Sequence, residues 1–330
     1  MIKAKFLYQD KNLPSSRIRV LNLLPYMNDY GIDAEVSSYP KSMGEKIKLF
    51  FSLKNFDVVF LQKKLVTSFD LYFIRKFSKK LIFDFDDAIF INDDRANNFE
   101  NKRKENRFKK IIEKSDVIIA GNPYLSDRAK AFNKNVFILP SAVFTDEIPV
   151  KIKSRNTNEP LILGWVGGGS NLHHLNLVIP ALKQISDKIP FILRVISNEK
   201  FQSDGLKIEN IKWDLKTQDY EISLFDVGLM PIPKNPWTEG KCSYKALQYM
   251  AAGVVPVATR FGFNCHVIDD KKDGFLFDSE EEFIKIIEFI YDNPDIAYEM
   301  GKKAREKVIK NYSVNIISKK LAEIIISLCS

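Results

Sequence analysis

The chain has 330 residues, with 50 Lys/Arg against 42 Asp/Glu, a net charge of +8 and 45% apolar residues. That length holds two α/β domains with separate cores. No apolar run of 18 residues is present, which argues against a spanning helix. Three scattered cysteines, Cys242, Cys265 and Cys329, lack metal-ligand spacing and argue against a disulfide framework.

Charge is unevenly spread. Residues 1–150 carry 26 Lys/Arg and 19 Asp/Glu, an excess of 7, whereas residues 151–330 carry 24 and 23. A basic first half attracts anionic headgroups, nucleic acid or polyphosphates, or is simply a solvated surface. No nucleic-acid motif accompanies it. The opening MIKAKFLYQD is too polar for a secretory signal.

In chain order, residues 4–8 read as a strand, followed by a loop over 9–16. A helix through Arg17, Val20, Leu21 and Leu24 carries Pro25 as a kink point. Strands are expected at 33–38, 57–61, 80–85 and 116–120, with a helix at 68–78 and another opening at Asn122 and Pro123. Residues 140–159 are polar and aperiodic and read as a link between domains. The pattern restarts with a strand at 161–166, a glycine turn at Gly167–Ser170, a helix at 172–185, and strands at 191–196 and 227–231. Helical spacing follows over 241–252, with Gly253 as C-cap and a β-branched strand at 254–258. Three helices, 280–291, 294–311 and 314–328, end the chain. Strands alternating with helices imply parallel sheets.

The stretch 237–264, WTEGKCSYKALQYMAAGVVPVATRFGFN, is the most informative. Lys241 and Lys245 lie four apart near a helix start, where ammonium groups and free amides favour an anion such as a diphosphate. The strand–GGGS–helix sequence at Gly167, Gly168, Gly169 and Ser170 has the form of a phosphate cradle, or of a tight turn closing on a sheet. It is not G-x-G-x-x-G, so no dinucleotide fingerprint is present. Asp84, Asp86 and Asp87 stand at a strand end, where open α/β sheets bind ligands; helix capping or a structural ion pair is the plainer alternative. His173 and His174 are adjacent, so on a helix their rings diverge.

The run K-x3-K-A-L-Q-Y-M-A-A-G-V-V-P-V-A, then F-G-F-N, then D-G-F-L-F at 273–277, with F-D-V-G-L-M-P-I-P upstream at 225–233, resembles the nucleotide-sugar site of GT-B-fold retaining glycosyltransferases of the family-4 (group 1) type. The resemblance implies an α/β GT-B architecture, with two Rossmann-like domains facing across a cleft and a C-terminal helix crossing back to the first. The domains would be 1–150 for the acceptor, 151–312 for the nucleotide sugar, and 313–330 for the returning helix. It implies transfer of a sugar from a nucleotide diphosphate sugar, UDP- or GDP-linked, to an acceptor hydroxyl, with retention and with no metal or other cofactor. Donor-binding residues would be Gly167, Gly168, Gly169, Ser170, Glu239, Lys241, Lys245, Gln248, Gly262, Phe263 and Asn264. Asp86 or Asp87 would orient the acceptor or act as base, Lys245 would stabilise the leaving diphosphate, and Ser16, Arg17 and Asn122 would face the acceptor.

Two positions depart from the family pattern. No Arg or Lys follows the glycine turn, where Gly168, Gly169, Asn171 and His173 stand instead, so the load is expected on backbone amides and the two lysines. In place of the E-x7-E pair the chain has Gly240, with Glu239 one residue off, and Gln248, whose amide still hydrogen-bonds a ribose but adds no charge. The expected acceptor is a lipid-linked saccharide of a bacterial surface polysaccharide (lipopolysaccharide, capsule or O-antigen). The basic first domain would rest peripherally on the inner face of the plasma membrane, in the cytoplasm, with no obvious amphipathic anchor and no nucleic-acid partner. The rival expectation is a non-catalytic glycosyltransferase-like subunit.

Overall fold

In the computed structural model, every residue except Glu147 is described. The linking stretch expected at 140–159 contains Glu147, which lies outside the described residues. The chain divides into two compact units. The first comprises residues 1–142, 235–242 and 312–330; the second comprises 143–234 and 243–311. The short piece 235–242, expected in the second domain, thus clusters with the first.

The first unit holds a six-stranded parallel sheet: β1 (Ile2–Tyr8), β2 (Ile32–Ser38), β3 (Val58–Gln62), β4 (Lys80–Phe85), β5 (Val117–Ala120) and β6 (Val136–Ile138), in the order β2-β1-β3-β4-β5-β6. Alternation along the strands splits two cores. Leu7, Val59, Leu61, Phe83 and Phe85 pack against helices Met43–Ser52, Ser68–Phe77 and Lys102–Lys114. Phe6, Val58, Phe60, Ile82 and Ile119 face the other way and meet Val314, Ile317, Leu321 and Ile325 of the last helix, Val314–Cys329. That helix therefore returns to the first unit's sheet.

The second unit holds β7 (Leu161–Val166), β8 (Phe191–Ser197), β9 (Ile208–Lys212), β10 (Val227–Met230), β11 (Val255–Thr259) and β12 (Phe275–Phe277), ordered β12-β11-β10-β7-β8-β9 and parallel wherever paired. Numbered from β7, this is the 3-2-1-4-5-6 order of a dinucleotide-type sheet. Strand order reverses between β1 and β3 in the first unit and between β7 and β10 in the second. Ligands gather at the carboxyl ends of strands at such reversals.

Several elements differ from the spacing-based expectation. Residues 17–24 are not one helix: a turn at Pro14–Ser16, a π-helical stretch at Arg17–Leu21 and a short helix at Leu24–Met27 replace it. Pro25 lies in the first turn of that last helix, where it needs no amide partner. The helix expected at 172–185 is a 3₁₀ stretch, Gly169–Leu177, followed by a helix at Ile179–Ile185 that opens on Pro180. Helices 43–52 and 102–114 and strands β6, β9 and β12 escape the spacing analysis, the strands because they are short edge pieces. Among the described residues no helix is long and apolar enough to cross a membrane.

Candidate functional site

In the second unit, β7 delivers Trp165 and Gly167 to the strand-order reversal. The helix expected over 241–252 starts only at Tyr244. Ser243 is left-handed, with φ 52, and is fixed by its Oγ donating to Asn264 Oδ1 at 2.7 Å. The helix then carries Lys245 across β7, with its Nζ 5.2 Å from the Trp165 ring centroid. Gly167 is required here: a Cβ on it would come within 2.7 Å of both Lys245 Cε and the Trp165 ring. The tryptophan platform, the lysine and the glycine turn thus form one packed group. Tyr249, one helical turn on from Lys245, locks the arrangement by accepting from Val166 N at 3.1 Å and donating to Leu229 O at 3.0 Å.

The glycine turn offers fewer amides than expected. Gly167 N–H donates to Ile196 O at 3.0 Å, and Gly169 N–H to Asn198 Oδ1 at 2.9 Å. The Gly168 N–H makes no hydrogen bond to a described residue, so it is the one amide of the three glycines left to a ligand. Glu199 lies against the turn, its carboxyl carbon 2.2 Å from where a Gly169 Cβ would be. Ser170 is exposed. Gln248 is 8% exposed and its amide makes no hydrogen bond to a described residue, so it keeps its capacity to bind an outside hydroxyl. In the Phe261–Asn264 loop, Gly262 has φ 54, which only glycine adopts readily. Phe263 is buried. Asn264 is fully buried, receiving Ser243 and donating to Thr259 O at 3.0 Å, so its side chain holds the loop and leaves the backbone to meet a ligand. His173 and His174 do not diverge as expected. The 3₁₀ path brings their rings edge to face at 4.3 Å.

In the first unit a charged network occupies the carboxyl ends of β3 and β4. Asp84 is fully buried and bound at two points by Arg19: Nε to Oδ2 at 3.2 Å, and Nη2 to Oδ1. Arg19 Nη1 also donates to Leu139 O at 2.6 Å. Burial works against the Arg19 charge, but Asp84 outweighs it and raises the guanidinium further. Beyond this pair, Lys63, with φ 58, bridges the next two acids, reaching Asp86 Oδ1 at 3.0 Å and bonding Asp87 Oδ2. Asp84 and Asp86, spaced as a D-x-D pair, thus each face a cation, a donor set unsuited to a divalent metal.

Lys241 is the main relocation. It precedes the helix, lies in the piece 235–242 grouped with the first unit, and binds Asp87 Oδ1 at 3.1 Å with its Nζ 4.6 Å over the Trp237 ring. It is therefore not the partner of Lys245 on one helix face; the intervening left-handed Ser243 breaks that periodicity. Other contacts fix the same piece. Asn122 Nδ2 donates to Glu239 O and Lys241 O at 3.3 and 3.0 Å, while its Oδ1 caps Leu125 N at 2.8 Å. Cys242 Sγ donates to Asp86 O at 3.2 Å. A Cβ on Gly240 would sit 2.8 Å from Ala88 N. The Asn122 side chain is thereby spent on the chain itself. Ser16 is fully buried, and Arg17 is half-buried.

Asp87 sits between two ammonium groups. Burial would raise its pKa, but Lys241 and then Lys63 outweigh that and hold it at about 2, below the ordinary 3.8. It is thus a standing carboxylate and a weak base. A depressed acid stabilises the fold above its ordinary pKa and loses that contribution as pH falls through the folded value. Asp87→Asn is expected to cost about 2 kcal/mol at neutral pH. The gap to the parent should close between pH 3.8 and about 2. Urea titrations across that range test it; a gap independent of pH would remove the ion-pair explanation.

Lys63, Trp165 and Glu199 were not singled out by motif, whereas Arg19 was noted with Ser15, Ser16 and Arg17 in the loop after the first strand and is found bound to Asp84. Lys63 directly follows β3 and Glu199 lies two residues past the end of β8, and position just past a strand's carboxyl end is the signal that marks them.

Residues 239–307, a minority of the chain, match the family model described as glycosyl transferases group 1. No curated protein sequence matches the chain significantly. Among solved structures, HepE of Anabaena in complex with UDP and glucose is 13% identical, with a TM-score of 0.73 covering 99% of this chain and 100% of that one. The sucrose-phosphate synthase of Thermosynechococcus elongatus is 13% identical, with a TM-score of 0.78 and 99% of each chain covered. A glycosyltransferase of Rickettsia africae is 15% identical, with a TM-score of 0.70, covering 98% and 97%. At such identities the likeness concerns the fold: this chain has the α/β GT-B fold, and the segment carrying Lys245 and Gln248 matches the group 1 glycosyltransferase model.

Proposed function

We propose that this chain is a glycosyltransferase that moves a sugar from a nucleotide diphosphate sugar, UDP- or GDP-linked, to an acceptor hydroxyl. The observation that carries the reading is the packed group of Trp165, Gly167 and Lys245 at the strand-order reversal of the second unit, inside or beside the segment that matches the family model. A cation held against a glycine turn at a sheet's carboxyl edge suits a diphosphate. Lys245 neutralises charge as it develops on the leaving diphosphate, with the Gly168 amide as a second donor. Gln248 binds a ribose hydroxyl through its amide. That HepE has been crystallised with UDP and glucose supports the same ligand class.

Reaction with retention and without a metal follows from the resemblance noted in the sequence. The leaving diphosphate then takes the acceptor proton, a route that suits a chain whose Asp87 is too acidic to be an effective base. Asp86 and Asp87, with Lys63, instead shape the floor of the acceptor side. The acceptor is a lipid-linked saccharide of a surface polysaccharide, met at the cytoplasmic face of the membrane.

Thermal unfolding in the presence of UDP-, GDP-, ADP- and CMP-linked sugars tests the proposal. A ligand at a hundredfold over its Kd stabilises by about 2.7 kcal/mol, so one base class is expected to raise the Tm by several degrees. If none shifts it, and mass spectrometry finds no transfer from the pooled sugars, the proposal fails.

A further inference from the structure

Helices Met43–Ser52, Ser68–Phe77 and Lys102–Lys114 form one layer over the first sheet. Apolar faces of such helices normally turn inward, and Leu49, Phe50, Leu71, Ile74 and Phe108 do so. A second apolar set points out: Met43 is 54% exposed, Phe51 55%, Phe69 52% and Tyr72 61%. The aromatic members are joined. Phe51 meets Phe77 at 5.0 Å between ring centroids, Phe69 meets Phe73 at 4.8 Å, Tyr72 meets Phe73 at 5.2 Å, and Phe73 stacks on the buried Phe50 at 5.6 Å. The result is one aromatic patch anchored in the core, not scattered surface residues.

The same helices are rich in basic residues. The three helices carry 11 Lys/Arg and 4 Asp/Glu, an excess of 7 that equals the whole excess of residues 1–150. Three of the four acids are already matched: Asp70 by Lys46 at 2.9 Å, Glu113 by Lys109 at 3.9 Å and Glu105 by Arg128 at 3.8 Å. The fourth, Glu45, is turned into a capping box with Ser42. Lys76 lies beside the patch, 6.0 Å from the Tyr72 ring centroid. Exposed aromatic rings among uncompensated lysines fit the boundary between lipid headgroups and acyl chains, where rings lie at headgroup depth and ammonium groups meet anionic lipid. A second copy offering the same face would oppose an excess of +7 with +7, which argues against self-association there.

We propose that this helical layer docks the chain on an anionic lipid surface through Met43, Phe51, Phe69 and Tyr72. No one helix carries the whole patch, so no single stretch of sequence displays it. This docking extends the lipid-linked acceptor reading above, but its test needs no sugar donor, so the two fail separately.

The test is co-flotation of the full chain with vesicles of phosphatidylcholine alone or with phosphatidylglycerol added, at low and high salt. Binding is expected only to the anionic vesicles and to weaken with salt. Phe51→Ser/Phe69→Ser/Tyr72→Ser should lower the partition constant by about tenfold or more while leaving nucleotide-sugar stabilisation and the Tm close to the parent's. Lys48→Glu/Lys76→Glu/Lys114→Glu should abolish the preference for anionic lipid. Ile152→Ser, at an exposed site in the second unit, should change neither. Absence of binding to anionic vesicles, or equal binding by the aromatic variant, overturns the proposal. So does a dimer that the aromatic variant dissociates in a chain that ignores vesicles, since that would assign the face to a second copy.

Discussion

Arg19→Met is expected to lower the stability of the first unit by about 3–5 kcal/mol, because it strands a buried carboxylate. Asp84 is wholly inaccessible, and Arg19 is its bidentate counter-ion. Burial already raises the Asp84 carboxyl, and Arg19 is the largest opposing influence. Without the guanidinium, Asp84 must take up a proton at neutral pH or remain as an isolated buried charge. Leu139 O also loses its donor, which adds about 1–3 kcal/mol if nothing replaces it. Two readouts separate this account from simple loss of packing. The gap to the parent should shrink as pH falls, since protonation of Asp84 then becomes cheap. In Arg19→Met/Asp84→Leu the second change should restore part of what the first removed, since no charge remains to be stranded. Strictly additive losses, measured by urea unfolding and by hydrogen exchange of the β4 amides, would show that the pair is not acting as a unit.

What the sequence made legible follows from how buried parallel strands are written. Residues 58–62, 80–85 and 161–166 are near-continuous apolar runs because both faces of the sheet are covered, and such runs are hard to mistake. The last helix was also legible, since Val314, Ile317, Leu321 and Ile325 repeat at helical spacing; its return to the first unit was expected only from the family resemblance. The site was less so, for a local reason. Spacing alone makes Lys241 and Lys245 neighbours on a helix, but Ser243 adopts a left-handed conformation that serine seldom takes. It does so because Asn264, distant in sequence, accepts its hydroxyl proton in a buried setting. No i, i+4 rule contains that contact. Lys63 is similar: two adjacent lysines after a strand look like solvated charge, and only the fold reveals that the first bridges two acids from the neighbouring strand's end. Fold was written in patterns of period; the site was written in tertiary hydrogen bonds.

The relocation of Lys241 changes which residue the proposed donor site relies on. With Lys241 neutralised by Asp87 and two of the three glycine amides already bonded, Lys245 becomes the principal cation at the glycine turn. Its setting is specific. The Trp165 face beneath it provides a favourable cation–π contact that fixes the ammonium beside the glycine turn. Lys245→Ala is accordingly expected to raise the Kd for the nucleotide sugar by roughly tenfold or more. The effect on kcat/KM should be larger, a fall of about 10²–10³, because charge grows on the diphosphate as the glycosidic bond breaks and a fixed cation is worth most at that moment. Lys245→Arg is expected to recover only part of this, since a Cβ on Gly167 would already crowd Lys245 Cε at 2.7 Å and a broader guanidinium has little room between the turn and Trp165. Lys241→Ala should behave differently: it removes a partner of Asp87 and should weaken stability with a smaller effect on donor Kd. Isothermal titration with the nucleotide sugar, followed by steady-state rates, distinguishes the two lysines. Equal donor affinity in Lys245→Ala and the parent, or a larger donor defect in Lys241→Ala, would place the diphosphate elsewhere than beside Gly167 and Trp165.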